Sequence, residues 1–160
     1  MTGLAIVLPQ GSPQLRQAIE ASAEVEVRHY GDRELLFERG DPAEGIYWLR
    51  TGLVGLSLTP RAAARLESIE VAEPGALLGM SEVVAGGRFQ LTARSAGSVT
   101  VTYLRRAGLL ALLSKDGSLC SNVLVAMSEK LGEIYDSYRL LGGPQNREIS
   151  HRIAPNRASF

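Results

Sequence analysis

The hydrophobic period of this chain changes twice, and those changes constrain its fold more than any other feature. Ser12-Pro13 starts a helix, with serine as N-cap and proline at the first helical position. Leu15, Ala18 and Ile19 give that helix one apolar face, which ends near Ser22. From Ala23 onward the apolar residues recur at every second position, in short runs broken by glycine, proline and aspartate. Such runs read as half-buried strands. After Arg105 the period becomes helical again. The resulting class is mainly β with flanking helices, and strands this short with regular turn signals close into a sandwich, barrel or jelly roll.

The strands expected are 23–30, 34–38, 45–51, 53–58, 65–72 and 98–104, within a set of roughly eight. Gly31-Asp32 and Gly40-Asp41-Pro42 are turns, and Gly52 separates two strands. A short apolar helix covers 107–113, ended by Lys115-Asp116-Gly117. The last helix spans 118–141. Its apolar positions are Leu124, Met127, Leu131, Ile134, Tyr138 and Leu141, in alternating steps of three and four. That is a heptad seam, the pattern of a helix that pairs with a second copy of itself. Glu129, Lys130, Glu133, Asp136 and Arg139 fall on the other faces and suit solvent. The remaining stretch, 142–160, is a basic tail with three arginines against one glutamate, expected to be flexible.

Composition narrows the function. At 160 residues with 45% hydrophobic content, the chain suits one domain with a real core. The 17 basic and 17 acidic residues cancel, unlike the basic excess of a dedicated nucleic-acid binder. The single cysteine, Cys120, rules out an intramolecular disulfide and a four-cysteine zinc site within one chain. It also suggests a reducing compartment, so a cytoplasmic location is expected. Leu4–Leu8 is apolar without a basic n-region, and no stretch approaches the length of a membrane span. No catalytic triad, nucleophile elbow or metal-ligand spacing occurs. The expectation is a protein that is not an enzyme, needs no cofactor and has no metal site.

The stretch Pro74-Gly-Ala-Leu-Leu-Gly-Met-Ser-Glu82 carries the chemistry of interest. A glycine turn running into a short helix can aim several free backbone N–H groups at one anion. Gly79, Met80, Ser81 and Glu82 are therefore candidate ligand-binding residues. Arg88 and Arg94-Ser95 follow as candidate anion clamps.

The order of these elements resembles the sensor domain of the CRP/FNR regulators, a cyclic-nucleotide-binding domain. The segment 39–54, with Gly40, Gly45 and Gly52, is similar to the family's paired-glycine hairpin, and Pro74-Gly75 with Gly79 is similar to the lead into its phosphate-binding cassette. The helix from Cys120 to Leu141 looks like its dimerisation helix. The resemblance implies a double-stranded β-helix, a jelly-roll-like β-roll, over 12–141, plus a long C-terminal dimerisation helix. It also implies a homodimer, a small ligand or anion near the cassette, and transcription regulation as the lineage.

The departures are specific. In nucleotide-binding members, glutamate follows the glycine matching Gly79 and takes the ribose hydroxyl; here the residue at that position is Met80. A thioether cannot replace a charge-assisted hydrogen bond. The cassette's arginine is followed by serine or threonine, a pairing kept only at Arg94-Ser95. The polar pair that reads the base in cyclic-AMP-dependent activators falls near Ile134-Tyr135. The expectation is a non-catalytic sensor that does not respond to cyclic AMP in the usual way. Two alternatives are a DNA-binding regulator whose helix-turn-helix is shortened or missing, and a ligand-free structural dimer or adaptor. Nucleic acid is not an expected partner of this chain alone, nor is a membrane.

Overall fold

The computed structural model describes residues 13–58 and 70–140. Ser12, the first part of the 65–72 strand, Leu141 and the 142–160 tail lie outside the described residues, as does the Tyr138 side chain. The elements in order are α1 (Pro13–Ala21), β1 (Val25–Tyr30), β2 (Leu35–Phe37), β3 (Gly45–Ser57), β4 (Glu70–Ala72) and β5 (Leu77–Leu78). They continue with α2 (Met80–Ala85), β6 (Thr92–Arg105), α3 (Arg106–Lys115) and α4 (Gly117–Leu140).

Two long antiparallel strands organise the fold. β3 and β6 pair from Gly45↔Arg105 to Ser57↔Thr92. At one end β1 adds to β6 and β5 adds to β3. At the other, β2 adds to β6 and β4 adds to β3. The long pair thus supplies the centre of two facing sheets, as a jelly roll requires. The mainly β class with flanking helices is present as expected.

The runs 45–51 and 53–58 form one strand rather than two. Gly52 bends β3 instead of ending it: its φ is +86°, and the pairing register shifts on either side of Thr51. A side chain at Gly52 would run into the Ser98 carbonyl oxygen, so only glycine lets the strands cross this closely. β6 also begins earlier than its alternation suggests, at Thr92.

The core lies between the sheets and under the helices. Ile46, Leu49, Val54, Leu56, Leu78, Met80, Ala93, Val101 and Leu104 are among its buried members. Leu15 and Ile19 place the apolar stripe of α1 against it. Leu109 of α3 and Leu119 and Val123 of α4 close the helical side. Asp116 ends α3 and caps α4, because its Oδ1 accepts from the Ser118 N–H at 2.9 Å and the Ser118 hydroxyl at 2.8 Å. Gly117, expected as a stop, is therefore the first residue of α4.

Lys130 departs from its expected solvent position. It is only 8% exposed, because α4 turns that face toward the roll and a lysine stem is apolar enough to pack. Its ammonium reaches Glu133 at 3.2 Å. No single described helix is long and apolar enough to cross a membrane.

Candidate functional site

The glycine turn adopts the shape its sequence promises. Gly79 has a φ of +83° and stands directly before α2. The Val83 N–H closes the first helical turn onto the Gly79 carbonyl at 2.9 Å. α2 ends at Gly86, also in the left-handed region. A short helix of this kind leaves its first amides without intrahelical partners. The backbone of an anion cradle is present.

The side chains around it pack into the core or pair with one another. Met80 is fully buried. Ser81 donates its hydroxyl to Glu82 Oε2 at 2.7 Å, so the nearest carboxylate is turned along the helix. The residue that lies over the turn is Phe89. A Cβ built on Gly79 would sit 2.7 Å from Phe89 Cε1. Phe89 is 4% exposed and stacks on Phe37, with ring centroids 3.9 Å apart. Tyr47 packs on Phe37 and against Tyr103. The roll beside the cassette is thus filled by a continuous aromatic cluster. Burial pushes the Tyr47 phenol well above its ordinary value, with Tyr30 and Tyr103 adding to the shift.

Backbone pairing fixes Phe89 in that place. Its N–H donates to the Asp41 carbonyl at 2.9 Å, and its carbonyl accepts from Gly40 at 2.8 Å. Pro42 and Arg88 form an isolated antiparallel bridge. Extended backbone alternates its faces, so Phe89 and Leu91 are buried while Arg88 and Gln90 are exposed. The arginines of this stretch, and not its phenylalanine, are the residues its sequence singles out. The alternation from Arg88 to Leu91 was the signal that could have found it.

Both candidate clamps serve turns. Arg88 donates from Nη1 to the Gly40 carbonyl at 2.8 Å. Arg94 donates from Nη1 to the Arg33 carbonyl at 2.7 Å. Ser95 donates its hydroxyl to the Gly31 carbonyl and accepts from the Glu34 N–H at 2.8 Å. The Arg94-Ser95 pair therefore holds the turn between β1 and β2. It also pairs at a different part of β3 from the residue before Gly79: Tyr47 pairs with Leu78, whereas Gly55 pairs with Arg94. Most of the length of β3 separates them.

On α4, Ile134 is half-buried and Tyr135 is 65% exposed. Leu124 and Leu131 are 60% and 53% exposed, while Met127 is packed against the core. The heptad seam thus divides between a face turned to the roll and a face turned outward. A physical link joins the cassette to these helices. Arg106, the first residue of α3, donates from Nε to the Val83 carbonyl of α2 at 2.8 Å. α3 in turn packs on α4.

Among the described residues no group of His, Cys, Asp and Glu could hold a metal ion. His29 Nδ1 lies 3.1 Å from the Thr100 hydroxyl on the exposed side of β1.

A family model described as "Cyclic nucleotide-binding domain" matches residues 27–116. Among solved structures, the Thermus thermophilus catabolite activator protein is similar, at 21% identity and a TM-score of 0.68. It covers 82% of this chain, and this chain covers 60% of it. The N-terminal domain of a transcriptional regulator from Streptomyces coelicolor A3(2) is 22% identical, with a TM-score of 0.61 and coverage of 78% of this chain and 89% of that one. A putative cyclic nucleotide-binding protein from Geobacter metallireducens is 17% identical, with a TM-score of 0.58 and coverage of 78% and 86%. No curated protein matches the chain.

Proposed function

Because the chain belongs to the cyclic nucleotide-binding domain family, we propose that it acts as a non-catalytic regulatory sensor of CRP/FNR type that does not take cyclic AMP in the family's usual way. One observation carries the second half of this reading: the Phe89 ring lies over Gly79, beside a fully buried Met80. A phosphate approaching those amides would have to displace a stacked aromatic ring. A ribose would meet a thioether where a carboxylate is needed.

The outward face of α4 supports a homodimer. Leu124, Leu131 and Tyr135 are exposed in the single chain, and their spacing of seven and four is that of a coiled-coil seam. A second copy packed about a two-fold axis covers that strip. In such a dimer, the hydrogen bond from Arg106 to Val83 carries movement of the cassette helix through α3 to α4. A signal then acts by shifting the population of dimer geometries.

The same filled interior favours a second reading, a structural dimer or adaptor whose roll binds no small molecule. The chain spans about 60% of the Thermus thermophilus protein's length, so any activity of the whole regulator, including contact with DNA, is part of the proposal. Sedimentation equilibrium tests the assembly. Wild type is expected at twice the protomer mass and Leu131→Lys at the protomer mass with unchanged circular dichroism. A monomeric wild type overturns the dimer.

A further inference from the structure

A groove of about 700 Å³ runs between α1 and the roll, lined on one side by Pro74, Gly75 and Leu77 of the lead into the cassette but by none of Gly79–Glu82. Pro13 and Pro74 give it exposed apolar walls, and the buried Ile19, Trp48 and Leu77 form its floor. Its size falls in the range of small-molecule sites.

Its charge is one-sided. Arg16 and Arg50 line the groove, and among the described residues the one carboxylate paired with them is Glu20, which is outside its lining. Both guanidinium carbons lie over the Trp48 ring, 5.1 Å and 4.9 Å from its centroid. Arg50 is held in place: Nε donates to the Thr102 hydroxyl at 2.6 Å, and Nη2 lies 3.4 Å from Glu20 Oε1. Arg16 is looser, with Nε 3.9 Å from that same oxygen and its side chain 61% exposed. One carboxylate therefore faces two guanidinium groups, which leaves a net positive charge. The terminal nitrogens of Arg16 make no hydrogen bond among the described residues.

We propose that this groove binds a small organic anion, a phosphate or carboxylate carried on an aromatic or other apolar body. The anionic group meets the Arg16 and Arg50 forks, which suit planar, bidentate recognition. The apolar body lies against Pro13 and Pro74. This assignment needs neither the amides of Gly79–Glu82 nor the dimer.

Trp48 is the only tryptophan of the chain, so its fluorescence reads the groove directly. The probe is 1-naphthyl phosphate, with neutral 1-naphthol and inorganic phosphate as controls. Saturable quenching by 1-naphthyl phosphate is expected, with each control at least about tenfold weaker because it lacks one half of the ligand. Arg16→Glu and Thr51→Glu, both at exposed lining positions, are each expected to weaken binding about tenfold or more. No saturable quenching, equal binding of 1-naphthol, or equal binding by both variants overturns the proposal.

Discussion

Phe89 occupies the space that any side chain on Gly79 would need: a Cβ at 79 would lie 2.7 Å from Phe89 Cε1. The glycine that gives the cassette its turn and the ring that fills the cassette are thus fitted to each other. Gly79→Ala adds backbone strain at a φ of +83° to that clash. A loss of about 2–4 kcal/mol is expected, measured by urea unfolding. Adding Phe89→Leu recovers the part due to the clash and not the part due to the backbone. A Gly79→Ala protein as stable as wild type would mean that the ring does not sit over the turn.

Met80 is fully buried. Replacing it by glutamate, the residue of nucleotide-binding relatives, puts a carboxylate into an apolar interior rather than onto a ribose. Met80→Glu is expected to lower unfolding free energy by several kcal/mol and to gain no affinity for cyclic AMP. A stable Met80→Glu protein that binds cyclic AMP would mean that the pocket is open and lacked only its carboxylate.

Ser95 is buried and serves the turn at Gly31–Glu34 through its hydroxyl. Ser95→Ala leaves those backbone groups short of a partner and is expected to cost about 1–3 kcal/mol. Its response to added nucleotide or phosphate should match that of wild type. A Ser95→Ala variant of full stability whose only defect is in anion binding would return the Arg94-Ser95 pair to the role of a clamp.

Asp116 gives a pH test of the junction between α3 and α4. Hydrogen bonds from the Ser118 hydroxyl and N–H hold its carboxyl below the ordinary value. A carboxylate lowered in the folded state stabilises above its unfolded pKa, and that contribution disappears as pH falls through the folded value. Asp116→Asn does not titrate. The stability gap between wild type and Asp116→Asn should therefore narrow as pH falls from about 5 to about 2. A gap that stays constant across that range would mean that the cap is not ionic.

The sequence made the architecture legible where one period holds over several residues. The alternation of Val25–Tyr30 and 98–104 marks β1 and most of β6. Ser12-Pro13 marks the start of α1, and Lys115-Asp116-Gly117 marks the break between α3 and α4. Short or doubly buried segments were harder. β5 is only Leu77-Leu78, with no alternation to read. Gly52 looked like a break because glycine signals turns, yet in a roll the same freedom bends a continuous strand. At the candidate site the backbone was legible from Gly75 and Gly79, and the absent carboxylate from Met80. Phe89 was not, because a buried ring and a clamping arginine can stand at the same extended position and only the tertiary fold tells which face points inward. Lys130 departs for a related reason: a long polar side chain reads as exposed until tertiary packing covers its apolar stem.

The central claim is that aromatic packing closes the cassette to cyclic nucleotide, and calorimetric titration of the wild-type protein with cyclic AMP tests it most directly. No saturable heat is predicted up to about 1 mM ligand. A stoichiometric isotherm with a micromolar Kd would contradict the account, since Phe89 and Met80 would then have to yield the site that they fill here.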